Sequence, residues 1–266
     1  MNTIATLTLV ALAISYAEAD CQNIACNTGY TGATCCHSPN YSSRGSGKVE
    51  IIVLHYTAGT DSGSLSWLTN PSSGVSAHYL VQTNGKIYQL VDESYKSWHA
   101  GTSRWGKRTD INPYSIGIEI SNDGKGTPYT SAQYTALTNL IKDLKRRYSV
   151  ADRNIIGHSD IAPGRKSDPG YYFKWDTLFN NGIGHWVTPE AVGSDSGYSY
   201  GSQNDVKKFQ ANLNSYGYTE VTADGIYGDI TYRNTHAFQQ HFRQAKVDGR
   251  IDQSSVKTLE RLIAAL

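Results

Sequence analysis

A mixed α/β fold, with a central sheet flanked by helices and a small three-helix C-terminal domain, is what this 266-residue sequence predicts, and three observations predict it. Short apolar runs at 49–56, 77–82, 86–91, 115–121 and 154–157 have strand length and are bounded by turn residues. Between the last two, Tyr134, Leu137, Ile141, Leu144 and Tyr148 recur at helical spacing, with Lys142, Lys145 and Arg146 on the wet side. Strands interleaved with helices imply a sheet with helices on its faces. From residue 203 onward the pattern changes to three short amphipathic segments divided by Asp-Gly turns.

Taken in order, residues 1–19 read as a secretory signal peptide. The apolar run from Ile4 to Tyr16 is too short to cross a bilayer, and Ala17-Glu18-Ala19 is a small-x-small cleavage pattern, although no Lys or Arg precedes the run. Acylation at Cys21 is disfavoured because Asp20 stands where a small residue is wanted. Residues 20–46 hold all four cysteines, Cys21, Cys26, Cys35 and Cys36. Bridging the adjacent Cys35 and Cys36 needs a strained ring, which leaves Cys21–Cys35 with Cys26–Cys36, or the crossed alternative. The Gly, Thr, Asn and Ser content of this segment gives it no core, so disulfides are expected to be its main constraint. Thiol-bound zinc is disfavoured, since no finger-like spacing accompanies these cysteines. Asn40-Tyr41-Ser42 is a glycosylation acceptor if the host is eukaryotic.

Residues 47–187 form the expected catalytic domain. Its one long helix begins at a capping box, Thr130 with Gln133. Residues 188–202, rich in Gly, Ser, Asp and Tyr without periodicity, read as a linker. In the segment 203–266, Val206, Phe209, Leu213 and Tyr216 mark a first helix. Tyr232, His236, Phe238 and Phe242 mark a second, and Val256, Leu259, Leu262 and Ile263 a third.

Charge excludes several functions. With 24 basic and 23 acidic residues, a formal +1, the chain has no electrostatic footprint for nucleic acid and no lipid-seeking basic run. No apolar stretch is long enough for a transmembrane segment, so export would deliver a secreted or periplasmic protein, expected to be a monomer. Its 39% apolar content supports a folded core, and 19 tyrosines suit a surface that stacks on sugars and peptides.

The chemistry concentrates in residues 157–170, Gly-His-Ser-Asp-Ile-Ala-Pro-Gly-Arg-Lys-Ser-Asp-Pro-Gly, which place His158, Lys166 and Asp168 in a turn-rich loop expected to be non-helical. His55 closes the apolar run Ile51-Ile52-Val53-Leu54. A lone histidine at a strand end is more often a satisfied polar residue, but here both histidines sit at the ends of apolar strands, where α/β sheets carry their sites. Two histidines and one carboxylate leave the fourth position of a tetrahedral zinc open, the pattern of a catalytic and not a structural site.

Five motifs then occur in order: Leu54-His55-Tyr56-Thr57-Ala58-Gly59, Ser76-Ala77-His78-Tyr79-Leu80-Val81, Trp98-His99-Ala100-Gly101, Ser115-Ile116-Gly117-Ile118-Glu119-Ile120, and the 157–170 loop. Together they resemble the type 2 N-acetylmuramoyl-L-alanine amidases, zinc hydrolases related to phage lysozyme-type amidases and to animal peptidoglycan recognition proteins. The likeness covers roughly residues 48–187 and is greatest to the two-domain bacterial enzymes that also accept anhydromuramyl peptides, where Gly182-Ile183-Gly184-His185-Trp186 has its counterpart. The resemblance implies one Zn2+ on His55, His158 and Asp168, with Glu119 as the proton-transfer group and Lys166 beside the developing oxyanion. Taken alone, Glu119 would be a salt-bridged strand end and Lys166 a solvated lysine. Phage relatives carry a tyrosine where this chain has Ala77, which shifts the proton work to Glu119. His99 and Tyr56 are expected to touch substrate, His78 to be a hydrogen-bonded structural residue, and Asp160 to brace the loop.

The 203–266 segment resembles the three-helix peptidoglycan-binding module, through its Asp-Gly turns and Phe238-Gln239, against the plainer alternative of a bundle that only packs on the core. The implied reaction is hydrolysis of the amide between the muramoyl or anhydromuramoyl lactyl group and L-alanine in peptidoglycan or muropeptides. The competing expectation is a recognition protein that binds muramyl peptides without cutting them. Such proteins commonly replace a metal ligand, whereas all three are present here.

Overall fold

The computed structural model describes Cys21 and residues 29–194 and 201–266. The signal peptide expected at 1–19, Cys26 and residues 195–200 of the expected linker lie outside the described residues. The strands are β1 Ala33–Cys35, β2 Tyr41–Ser43, β3 Ile51–Tyr56, β4 Tyr79–Val81, β5 Ile87–Gln89, β6 Tyr95–Ser97, β7 Ser115–Ile120 and β8 Ile155–Gly157. The helices are α1 Asp61–Thr69, α2 Ser131–Tyr148, α3 His158–Ile161, α4 Trp175–Asn180, α5 Gln203–Tyr216, α6 Asp229–Phe242 and α7 Gln253–Ala264. Six strands make one sheet in the order β1-β5-β4-β7-β3-β8, in which β4 and β5 pair antiparallel and every other neighbour is parallel. β2 and β6 form a separate antiparallel ribbon.

The mixed sheet with flanking helices is the architecture that the sequence predicts, and all five expected strands are present. Strand alternation divides the core in two. Along β3, Ile52 and Leu54 join Ile116 and Ile118 of β7 on one face, under Leu137, Leu140, Ile141 and Leu144 of α2. The α2 N-terminus carries the expected capping box: Gln133 N–H donates to Thr130 Oγ1, and Thr130 N–H donates back to Gln133 Oε1. On the other face Ile51, Val53 and Ile156 share a single apolar cluster with Phe209, Leu213, Phe238 and Leu259. Helices α5, α6 and α7 therefore close the second face of the sheet. Each fully buried aliphatic side chain there is worth about 1.5–3 kcal/mol relative to exposure.

Two expectations are corrected. The 157–170 loop opens with a helical turn, α3, because Asp160 Oδ2 folds back to accept the Gly157 N–H at 2.7 Å and caps a turn that the prolines and glycines further along do not reach. The cysteine segment also has more than disulfides to hold it. β1 extends the main sheet, Cys21 and Cys36 pack with Leu65, Leu68, Leu80 and Leu90, and the buried Asn40 donates from Nδ2 to the Asn70 and Val75 carbonyls. Cys21 is bonded to Cys36, the crossed pattern of the two left open, and Cys35 is also disulfide-bonded.

Candidate active site

The site is assembled by strand register. In the parallel pair β3 and β7, His55 stands directly beside Glu119, and Leu54 beside Gly157 brings His158 next to them. His55 shares the parity of Ile51 and Val53, and Glu119 that of Gly117, so both project to the sheet face opposite α2. Asp168 returns to the same point along the loop, and its backbone carbonyl accepts the Ser159 N–H at 2.9 Å.

His55 Nδ1, His158 Nδ1 and Asp168 Oδ2 form a nearly regular triangle with edges of 2.9, 2.9 and 3.0 Å, and all three residues are buried. His158 Nε2 donates to the Ala100 carbonyl at 3.0 Å, which in the neutral ring leaves the Nδ1 lone pair facing the centre. Burial, then the neighbouring His158, lowers the His55 pKa to about 4, so the ring is neutral near pH 7. For Asp168, burial alone would raise the pKa, but its close contacts with the His158 and His55 imidazoles outweigh it and hold the carboxyl below its ordinary range. A carboxylate and two imidazole nitrogens brought this close, among neutral groups, form a donor set that fits a metal ion.

Glu119 does not join the triangle. Its Oε2 is sealed from solvent and has no hydrogen-bond partner among the described residues. Burial, followed by the charge of Asp168, pushes its pKa well above the usual carboxylate range. All of these groups line a cavity of about 650 Å³ whose walls include Trp67, Trp98 and Arg165. Lys166 is exposed and lines the same cavity. Tyr56 lines it too, half-buried, with its hydroxyl 3.0 Å from Ser167 Oγ. The structure thus brings His55, His158, Asp168, Glu119, Lys166, Tyr56 and His99 around one cavity. His99, expected at the substrate surface, is buried and has both ring nitrogens within 2.9 Å of protein atoms, His55 Nε2 and Ser115 Oγ. His78 is fully buried away from the cavity, between Ser97, Arg44, Tyr95 and the Gly117 N–H. Asp160 is buried as well and accepts from Tyr218 at 2.6 Å and pairs with His241 at 2.7 Å, both from the C-terminal helical region.

Sequence reasoning missed the Ala100 carbonyl and Ser115. A backbone carbonyl carries no residue-type signal, and a serine at a strand start is ordinary. The adjacency of Ala100 to His99 in the Trp-His-Ala-Gly motif was the available clue.

A cavity over a buried His-His-Asp cluster, with a separate high-pKa carboxyl at its edge, is the arrangement of a hydrolase. A family model described as N-acetylmuramoyl-L-alanine amidase matches residues 45–171, and one for a peptidoglycan binding domain matches residues 202–259. The N-acetylmuramoyl-L-alanine amidase AmiD of Escherichia coli is 36% identical over 236 residues, covering 81% of this chain and 83% of its own length. The 1,6-anhydro-N-acetylmuramyl-L-alanine amidase AmpD of Haemophilus influenzae is 42% identical over 108 residues, 40% of this chain and 58% of the relative. The solved complex of E. coli AmiD with anhydro-N-acetylmuramic acid-L-Ala-D-gamma-Glu-L-Lys superposes with a TM-score of 0.66 at 33% identity, over 87% of this chain and 93% of that one. Pseudomonas aeruginosa AmpDh3 in complex with an anhydromuramic pentapeptide gives 0.68 at 30% identity, over 91% and 98%. The chain belongs to the N-acetylmuramoyl-L-alanine amidase family and is an enzyme of that class.

Proposed function

We propose that the protein is a zinc-dependent amidase of peptidoglycan, cleaving the amide between the lactyl group of N-acetylmuramoyl or anhydromuramoyl residues and L-alanine. We further propose that it acts outside the cytoplasm as a monomer, with a catalytic unit at 47–187 and a wall-binding unit at 203–266. The observation that carries the reaction is the buried triangle of His55, His158 and Asp168 beside the isolated Glu119 carboxyl. Two nitrogens and one carboxylate oxygen suit zinc and leave a coordination position open. Bound there, zinc would supply Lewis acidity toward the scissile carbonyl and toward water.

The remaining steps belong to the chain. Glu119, kept basic by its sealed environment, takes the proton from the attacking water and delivers it to the amine of the departing L-alanine. Lys166, at the cavity wall, places an ammonium near the oxyanion that develops on the former carbonyl. Tyr56 and the indoles of Trp67 and Trp98 offer faces to the sugar and stem peptide. That similar chains, AmiD and AmpDh3, were solved with anhydromuramyl peptides bound supports a muramyl-peptide substrate. Chelation followed by dialysis should abolish release of L-alanine amino termini from muropeptides, and added Zn2+ should restore it. Full activity in excess chelator would remove the zinc mechanism.

A further inference from the structure

We propose that His99 is a positioning residue, which fixes the tautomer of His55 so that His55 presents a bare Nδ1 to the metal; this rests on the metal function proposed above. The hydrogen-bond chain leaves one arrangement for neutral rings. Ser115 Oγ lies 2.8 Å from the Ile111 carbonyl, which can only accept, so the single hydroxyl proton of Ser115 is spent there. The 2.9 Å bond between Ser115 Oγ and His99 Nε2 must then be donated by His99. A neutral His99 with its proton on Nε2 has a bare Nδ1, which accepts from His55 Nε2 at 2.9 Å. A neutral His55 with its proton on Nε2 has no proton on Nδ1, the atom in the ligand triangle.

Packing holds His99 to this task. A Cβ on Gly117 would lie 2.5 Å from the His99 ring, so the bare strand of β7 is what lets the imidazole lie flat against the sheet. The carboxamide oxygen of Asn112 accepts the backbone N–H of both His99 and Ala100, at 3.2 and 2.9 Å. The next residue in the chain, Ala100, directs its carbonyl to His158. One short pinned turn therefore orients both histidine ligands, through a side chain on one and a carbonyl on the other. His99 lines the cavity, and the role proposed for it is exercised through His55.

The test is made on the full-length protein with Zn2+ as the probe. In zinc-loaded wild type, long-range 1H–15N correlation of the imidazoles should place the proton on Nε2 in both His55 and His99, with His55 bound to metal through Nδ1. His99→Leu should weaken zinc affinity, measured by chelator competition, by about 10–100-fold. His99→Asn puts a carboxamide oxygen near the place of Nδ1 and should recover most of that loss. A proton on Nδ1 of His99 overturns the proposal. So does a folded His99→Leu variant with wild-type zinc affinity, whether or not its KM rises. If His99→Leu fails to fold, the wild-type correlation spectrum still decides. A protein that binds zinc with this proton pattern but leaves muropeptides intact would refute the proposed function and not the role of His99.

Discussion

Glu119 and Asp168 are two acids facing one cavity, and their surroundings give them opposite tasks. Asp168 Oδ2 lies 2.9 and 3.0 Å from the Nδ1 atoms of two histidines, whereas Glu119 Oε2 has no hydrogen-bond partner among the described residues. Asp168→Ala should therefore lose both metal and activity, checked by metal analysis of the purified variant. Glu119→Gln should keep metal and fold while turnover drops by roughly 10²-fold or more, and near-normal turnover with bound metal would end the proton-transfer assignment. Lys166→Ala should lower kcat more than it raises KM, since in the role proposed above its charge would be needed only as the oxyanion forms; a pure KM effect would recast it as a binding residue. The grouping of His55, His158 and Asp168 was legible in the sequence because side chains that can hold a metal are drawn from few residue types at strand and loop ends. The support beneath them was not: Ser115, Gly117 and the Ala100 carbonyl act through position alone, and position appears only when the strands pair.

Among the elements, α2 was the most legible, since a capping box followed by a long apolar stripe needs no tertiary context. Thr130→Ala should cost about 1 kcal/mol of unfolding free energy, read by denaturant titration. Thr130 also donates to the Thr83 carbonyl, so an unchanged midpoint would show that neither bond counts. Strands β1, β2 and β6 could not be foreseen: each is three residues long and exists only through its partner. His78 ties this region together, and its pKa falls from 6.5 to about 3 through burial and then the charge of Arg44. The unfolded chain thus binds one more proton than the fold between those values. Stability is complete above about pH 6.5 and falls as pH drops, by about 1.4 kcal/mol per unit for each such histidine. Unfolding free energy should be at least about 2 kcal/mol lower near pH 5 than near pH 7.5, and a flat profile would mean that the buried histidines are accessible to protons in the fold.

For the molecule as a whole, the change of helical pattern led the sequence reading to a second unit, but a change of pattern says nothing about docking. A module on a loose tether would be dispensable for soluble muropeptides and would act only through effective concentration on whole walls. The structure points the other way. Removing residues 201–266 would uncover Ile51, Val53 and Ile156 on the sheet, and would strip Asp160 of Tyr218 and His241 and the Ser167 carbonyl of Gln240. Glu190 is fastened to the same unit: its N–H donates to Thr258 Oγ1, and its carbonyl accepts from Ser254 Oγ. The truncated chain should melt at lower temperature and lose activity on soluble and insoluble substrates alike. An unchanged melting point with intact cleavage of soluble muropeptides would show that the shared core is dispensable.

That shared core also sets a working radius. An enzyme whose hold on a polymer is built rigidly into its cutting head cannot swing to the next bond while it stays attached. With the wall-binding role proposed above, this protein would trim what lies at one fixed offset and then have to let go. Tight adhesion would slow such a protein, so variants of the C-terminal helices that grip walls more strongly should turn over fewer bonds per unit time at saturating wall, a trade-off that pairing wall-adsorption isotherms with steady-state rates would expose.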